Sequence, residues 1–295
     1  MSKVYSFKSK CHKCPICNGY GCINELPGMG GFSDNINFQN NVAGWNKVAS
    51  EYHLAQSTLP DYEVGILNSP NLHDLPIRLG PMTGGIENVG YEIEEHFYSD
   101  LIEFASSLDI NLSIGDGCPD TKLQYGIQAV RKNMETYPHK KAAVFIKPYP
   151  NEKILQRISW ATDVASHIGI DIDSYNILTM RNQVKLEKKS DYQLIEIKKA
   201  CDKPFILKGI FTTDDIELVK KVKPDVAFIS NHGGRVENRI GSTAEFLAEY
   251  ASTLKNFCGE IWVDGGIRTE NDVRIAMALG ANQVIIGRPV ISAMS

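Results

Sequence analysis

A histidine and an arginine three positions apart are the residues of this chain best suited to do chemistry together. They lie in the segment SNHGGR, residues 230–235, at the end of a short apolar run. The imidazole of His232 titrates near neutrality, so it can take a proton from a hydroxyl group. The planar guanidinium of Arg235 can bind a carboxylate through two hydrogen bonds. The segment predicts a base and an anion anchor at one site; a glycine-rich loop with an incidental His and Arg is the plainer alternative.

Two later turns predict a phosphate site. The segments DGGIR, residues 264–268, and GRP, residues 287–289, each follow an apolar run. Glycine turns expose backbone N–H groups, which bind phosphate together with arginine side chains. The phosphate belongs either to a cofactor or to a phosphorylated substrate. Asp264 either orients an arginine or binds a cofactor hydroxyl group.

Lys208 ends another apolar run, in the segment FILKG at residues 205–209. A lysine at the end of a buried strand can stabilise negative charge on a reduced ring system. The alternative is a solvated lysine at the rim of the fold.

From residue 76 onward, short apolar runs alternate with segments of helical periodicity. The predicted strands are 77–82, 110–114, 142–147, 168–172, 205–208, 226–230, 261–263 and 283–286. The predicted helices are 92–108, 122–134, 152–166, 191–201, 213–222, 244–257 and 270–279. Such alternation is typical of parallel α/β folds.

Eight strands separated by helices predict a TIM (β/α)8 barrel over residues 76–295. A doubly wound open sheet is the alternative. The barrel is favoured because the two phosphate-type turns follow strands seven and eight, where barrel enzymes commonly bind phosphate. Only seven residues follow Arg288. We therefore expect a barrel truncated after strand eight, whose exposed face a neighbouring subunit of a homo-oligomer could cover.

Residues 1–75 are predicted to form an irregular, cysteine-rich N-terminal arm. Four cysteines lie close together there: Cys11, Cys14, Cys17 and Cys22. Four thiolates at this spacing suit a zinc ion or an iron–sulfur cluster. Free thiols in a flexible arm are the alternative, and the sequence does not choose between the two metals.

Composition excludes several classes of protein. The chain has 295 residues and a formal net charge of −4, which gives no indication of a nucleic-acid partner. No apolar run reaches the roughly 18 residues that span a bilayer, and the first ten residues lack a signal-peptide core. The sequence predicts a cytoplasmic protein without a membrane partner.

Residues 203–290 resemble the FMN-dependent α-hydroxy acid oxidases and dehydrogenases, because the KG, SNHGGR, DGGIR and GRP segments match in order and spacing. The resemblance implies that Lys208 lies near the flavin, that His232 is the catalytic base and that Arg235 binds the substrate carboxylate. It also implies a set of FMN ligands: Ser230, Asp264, Gly265, Gly266, Arg268, Gly287 and Arg288.

The first half matches the family more loosely. GPMTGG at residues 80–85 stands where the family lines its flavin, which implies Pro81, Met82 and Thr83 as further FMN contacts. The amino-acid sequence of this segment is more similar to that of the type 2 isopentenyl-diphosphate isomerases, which are also FMN-binding barrels. Asp173 stands where the family has the carboxylate that pairs with the base.

After strand three the family's Gln-x-Tyr is replaced by a segment containing Lys147 and Tyr149. The substrate-binding tyrosine is therefore not where we expect it. Lys147 is either an anion or flavin contact or the partner in a salt bridge at the end of the strand.

The resemblance implies an oxidoreductase that converts an L-2-hydroxy acid into a 2-oxo acid. The His232 base would remove the hydroxyl proton while a hydride passes to flavin N5, and Asp173 and Lys208 would stabilise the resulting charges. Two alternatives stay open: an FMN-dependent isomerase of the isopentenyl-diphosphate type, and a non-catalytic flavin- or metal-binding protein.

Overall fold

Eight parallel strands form the centre of the computed structural model, which describes residues 36–54, 65–177, 180, 183–236 and 239–294. The strands are β1 Ile77–Leu79, β2 Leu112–Gly115, β3 Ala142–Ile146, β4 Ala165–Asp171, β5 Phe205–Ile210, β6 Val226–Ile229, β7 Glu260–Asp264 and β8 Gln283–Ile286. Each pairs with the next along the chain from β2 to β8, and β8 pairs with β1. A bridge between Arg78 and Asn111 joins β1 to the start of β2 and closes the ring. The predicted TIM barrel is confirmed, and the open sheet is excluded.

Helices surround the barrel, and the seven that lie between β1 and β8 are close to their predicted positions; one further described helix precedes β1 and another follows β8. They are α1 Asn37–Glu51, α2 Glu94–Ser107, α3 Thr121–Asn133, α4 Asn151–Ala161, α5 Asp191–Ala200, α6 Thr213–Val222, α7 Thr243–Leu254, α8 Glu270–Ala278 and α9 Arg288–Met294. Ser190, Thr212 and Thr269 begin α5, α6 and α8 with capping boxes, in which each side chain accepts a hydrogen bond from the third helical residue. Helix α4 ends five residues earlier than predicted because β4 already begins at Ala165.

A layer of apolar side chains closes the inside of the barrel. It consists of Ala143, Phe145, Ile206, Val226, Phe228, Trp262 and Ile285. The rings of Phe145 and Phe228 meet edge to face, with centroids 5.6 Å apart. Gly169 of β4 leaves room for Phe145, because a Cβ atom there would lie 2.6 Å from its ring. This packed layer, called the floor below, fills the barrel, so the space for a ligand lies above it, toward the carboxyl ends of the strands.

Side chains on a strand alternate between its two faces, so the residue two positions beyond each floor residue again points inward. That step leads from an apolar floor residue to Lys147, Lys208, Ser230, Asp264 and Gly287, and on β4 it leads from Gly169 to Asp171. The barrel therefore presents a polar layer directly above an apolar one, at the carboxyl ends of its strands.

Helix α1 corrects the prediction that residues 1–75 are irregular. Its buried face carries Phe38, Asn41, Trp45 and Val48, which are spaced three or four residues apart. The indole Nε1 of Trp45 donates to the carbonyl of Gly265 at 2.9 Å, which ties the helix to the turn after β7. Polar Asn residues throughout this stretch hide the helical periodicity in the sequence.

Two further observations concern the end of the barrel after β8 and the expectation that the chain has no membrane-spanning segment. A helix of seven residues, α9, follows β8. Among the described helices, none combines the length and the apolar character that crossing a membrane requires.

Candidate active site

A cavity of about 540 Å³ opens above the polar layer, within the size range of roughly 300–1,000 Å³ that is common for cofactor sites. Twelve of the residues predicted from the sequence line it: Pro81, Met82, Thr83, Lys208, His232, Arg235, Asp264, Gly265, Gly266, Arg268, Gly287 and Arg288. Two predicted residues, Asp173 and Ser230, are fully buried behind this lining and contact it. The structure thus brings all the predicted barrel residues to one place.

His232 is held by its neighbours on both its backbone and its ring. Its Nδ1 lies 3.2 Å from each carboxylate oxygen of Asp173. Its backbone N–H donates to Ser230 Oγ at 3.1 Å, and its φ is +57°. A histidine in this left-handed region is uncommon and is maintained only by surrounding contacts. The loop therefore fixes where the imidazole points.

A buried carboxylate binds two lysines beside this histidine. Asp171 accepts from Lys147 at 2.7 Å and lies 3.0 Å from Lys208 Nζ. Burial opposes ionisation of Asp171, yet the charges of Lys147 and Lys208 hold its pKa well below its usual range. For Lys147, the structure shows the salt bridge at the strand end, and the same side chain also lines the cavity.

These charges set the ionisation of the site. Burial and the ammonium of Lys208 lower the pKa of His232 to about 4, although Asp173 opposes them. Burial also acts against the charge of Lys208, but Asp171 and Asp173 outweigh it and raise the pKa of that lysine. Near neutral pH the site therefore combines a charged Lys208 with a neutral imidazole, and a neutral imidazole is the state that a proton acceptor needs.

Two buried polar atoms of residues that line the cavity have no partner within the described part of the chain. Asp264 accepts from Ser230 Oγ at 3.0 Å through Oδ2, while its Oδ1 is unpaired. Burial raises the pKa of Asp264 to about 6. The Nε of Arg268 is likewise buried and unpaired. Since buried polar groups are normally hydrogen-bonded, an acceptor and a donor are available here for a polyol phosphate.

Helix α1 completes the wall of the site. Asn41 and Asn231 exchange amide hydrogen bonds of 2.9 and 3.1 Å. The ring of Phe38 lies 4.8 Å from the Arg288 guanidinium carbon and 6.0 Å from that of Arg235. Sequence reasoning missed Phe38 and Asn41, although their spacing on one helix face was a usable signal.

Gly266 provides a direct test of this wall. Its φ is +77°, and a Cβ atom there would lie 2.0 Å from the backbone oxygen of Asn41. We expect Gly266→Ala to cost about 2 kcal/mol of unfolding free energy, measured by urea denaturation, because strain and collision add. Gly280→Ala is the matched control: its φ is +107°, but its nearest neighbour is the flexible end of Lys255.

Both glycine variants should lose stability, but only Gly266→Ala should also weaken binding of the FMN that the sequence resemblance implies. Equal FMN affinity in the two variants, measured by fluorescence titration, would show that the contact between α1 and Gly266 does not contribute to the cofactor site.

Three ligand-type side chains also meet here, but they do not form a convincing metal site. One ligand atom from each of Asp171, Asp173 and His232 lies within 4.8 Å of the other two. The ammonium groups of Lys147 and Lys208 already pair with Asp171, and these positive charges would repel a metal cation. The predicted metal ligands Cys11, Cys14, Cys17 and Cys22 lie outside the described residues.

Tyr149 does not supply the missing substrate-binding tyrosine. It is buried behind the cavity, where its ring packs against the guanidinium of Arg157 at 4.3 Å. Arg157 is held by Asp116 at 2.8 Å. This departure from the family pattern, expected from the sequence, is therefore present in the structure.

Comparison with known proteins identifies the family. A family model described as FMN-dependent dehydrogenase matches residues 127–295. The chain belongs to this family. The matched residues include every predicted site residue of β4 to β8. FMN, the cofactor in the family's description, is therefore the cofactor to compare with this cavity.

Curated relatives and solved structures agree with this assignment. The chain is 44% identical over 88 residues to 2-hydroxyacid oxidase 2 of Bos taurus, covering 30% of this chain and 25% of the relative. It is 34% identical over 150 residues to an L-lactate dehydrogenase of Vibrio parahaemolyticus, covering 46% and 39%. A mandelate oxidase mutant structure matches with a TM-score of 0.59 and 23% identity, covering 74% of this chain and 66% of the other.

The sequence match to the 2-hydroxyacid oxidase thus spans about a quarter of that relative's length. The structural similarity, at 23% identity, supports the fold alone. None of these three relatives is an isopentenyl-diphosphate isomerase, so the resemblance of residues 80–85 to that class has no support from them.

Proposed function

We propose that this protein binds FMN and oxidises a 2-hydroxy acid to a 2-oxo acid. The observation that carries the proposal is the arrangement around one cavity: a neutral His232 paired with Asp173, Arg235 in the same loop, and unpaired buried atoms of Asp264 and Arg268. The names of the relatives, which include 2-hydroxyacid oxidases and a lactate dehydrogenase, point to the same substrate class.

The residues present fit FMN. Gly266, Arg268, Gly287 and Arg288 would hold the phosphate, and Asp264 Oδ1 would accept from a ribityl hydroxyl. Pro81, Met82, Thr83 and Lys208 would line the ring system, and Ser230 holds Asp264 in place. When bound, FMN supplies the hydride-accepting ring, at N5.

The protein's own groups would bind the substrate and move its proton. Arg235 would pair with the carboxylate, which places the neighbouring hydroxyl near His232. The hydroxyl proton would pass to His232 Nε2, and Asp173 would stabilise the imidazolium through Nδ1. With the proton on His232, the C2 hydrogen would be free to leave as a hydride, for which bound FMN would be the acceptor, and the C–O bond would become the C=O bond of the 2-oxo acid.

The proposal is tested by anaerobic mixing of the FMN-loaded protein with glycolate, which is achiral, and with the L- and D-forms of lactate- and mandelate-type acids. We expect bleaching of the flavin absorbance by at least one L-2-hydroxy acid and by none of the matching D-acids. A flavin that none of these acids reduces, but that dithionite does, would show that the substrate class is wrong.

Three further expectations from the sequence accompany this proposal. We infer that the cysteines of the N-terminal arm bind zinc or an iron–sulfur cluster, that the protein assembles as a homo-oligomer and that it is cytoplasmic. Elemental analysis of the purified full chain and its Cys11→Ser variant tests the first, since a bound metal should be lost from the variant.

A further inference from the structure

We propose that Lys147 is a positioning residue that keeps Nε2 of His232 unprotonated and so available as a base. The inference deepens the proposed function, because it concerns the proton acceptor of the same site. It depends on the arrangement of charged groups around the imidazole, where Lys147 departs from the family's glutamine.

The Nε2 side of the ring faces an ammonium group. Lys147 Nζ lies 3.5 Å from His232 Nε2. An ammonium group has three donors and no acceptor, so the nitrogen that it approaches favourably must carry a lone pair. A proton on Nε2 would instead place two N–H groups against each other. Lys147 therefore favours the form of His232 in which Nε2 is the acceptor.

The Nδ1 side faces a carboxylate that favours the complementary proton position. Both oxygens of Asp173 lie 3.2 Å from Nδ1, and an ionised carboxylate only accepts hydrogen bonds. Lys208 Nζ also lies 3.4 Å from Nδ1, but it is nearer to Asp171, at 3.0 Å. Two oxygens closer than one ammonium favour an Nδ1–H group that donates to Asp173.

Asp171 keeps Lys147 in place. It is the carboxylate shared by the two lysines, and all three side chains are buried. A buried ammonium that loses its carboxylate partner is strongly destabilised, so Lys147 remains at the Nε2 edge. Its charge acts on the imidazole at short range and with little screening by water.

The charged groups around the imidazole come from several elements of the barrel. Lys147 follows β3, Asp171 ends β4 and Asp173 follows it, Lys208 lies on β5, Arg235 is in the same loop as the histidine, and Asp264 ends β7 behind Ser230. Of these, Lys147 alone lies within hydrogen-bonding range of Nε2 among the described residues. Removing its charge leaves Asp171 and Asp173 opposed by Lys208, so protonation of His232 becomes easier.

The test is a ¹⁵N-histidine NMR titration of the full chain, with the His232→Gln spectrum used to assign the resonances. In the wild type at pH 7 we expect the ¹⁵N shifts of an Nδ1–H, Nε2-unprotonated ring. In Lys147→Gln the titration midpoint of His232 should rise by at least one pH unit. Lys147→Arg keeps the charge and should restore the midpoint to within half a unit of the wild type.

Lys220→Gln is the matched control for total charge, because Lys220 pairs with Glu217 on the surface helix α6, far from the site. Its His232 midpoint should not move. An Nε2–H tautomer in the wild type would overturn the inference without any variant, and so would an unchanged midpoint in a folded Lys147→Gln.

The same shift should appear in activity. A base works only above its own pKa, so the acidic limb of the kcat/KM profile should move to higher pH in Lys147→Gln by the amount seen in the NMR titration. The NMR result does not depend on turnover. If no 2-hydroxy acid is oxidised, the proposed function is contradicted, but the NMR titration still tests whether Lys147 keeps Nε2 of His232 unprotonated.

Discussion

Replacing His232 by glutamine is expected to lower kcat/KM for the 2-hydroxy acid by about 10³-fold, within the range of 10²–10⁴ typical for a positioned general base. Glutamine fills a similar volume but cannot accept the hydroxyl proton. The cofactor contacts come from other residues, so FMN content, measured by absorbance after denaturation, should stay near that of the wild type. Stopped-flow flavin reduction measures the effect without interference from reoxidation.

His167→Gln is the matched control for the loss of a histidine. His167 packs edge to face on Trp262 in the barrel floor, below the cavity. The His167→Gln variant should reduce its flavin at a rate within about twofold of the wild type, because the substitution is remote from the site. Retention of more than a tenth of the wild-type rate by a flavin-loaded His232→Gln would place the base elsewhere.

Replacing Arg235 by methionine is expected to reduce kcat/KM by about 10²-fold, since one charge-assisted bond to a carboxylate contributes roughly 1.5–3 kcal/mol. Burial and the neighbouring charge of Arg288 lower the pKa of Arg235 to about 10, so keeping it charged costs free energy. Removing it should therefore leave the thermal unfolding midpoint unchanged or higher. A functional defect without a stability defect distinguishes a substrate contact from a structural arginine.

A matched substrate pair sharpens that test. The 2-hydroxy amide of the same acid lacks the negative charge, so Arg235→Met should lower its turnover far less than that of the acid. An equal loss for acid and amide would show that Arg235 acts on something other than the carboxylate.

Much of this site could be read from the sequence because barrel geometry turns order along the chain into proximity. Lys208, Ser230, Asp264 and Gly287 each follow an apolar inward residue by two positions, and a parallel barrel brings such positions into one layer. The limits of β8 were predicted to the residue because an apolar run there is bounded by polar and glycine neighbours.

Contacts that cross the barrel without a local signal could not be predicted. The pairing of Lys147 with Asp171 joins two strands, and the sequence alone left the role of Lys147 open. Helix α1 was missed because its polar residues, such as Asn41, bind loop groups rather than solvent. The role of these polar residues of α1 becomes visible only in the folded structure, where the loops after β6 and β7 pack against them.

The most direct test of the central claim is an anaerobic single turnover with a 2-hydroxy acid carrying deuterium at C2. Oxidation at this site predicts one 2-oxo acid formed per FMN reduced, with a bleaching rate several-fold slower than for the protiated acid. The same deuterium effect, at a much lower rate, is expected in His232→Gln. Flavin bleaching without a stoichiometric 2-oxo acid, or no bleaching by any 2-hydroxy acid, would contradict the account.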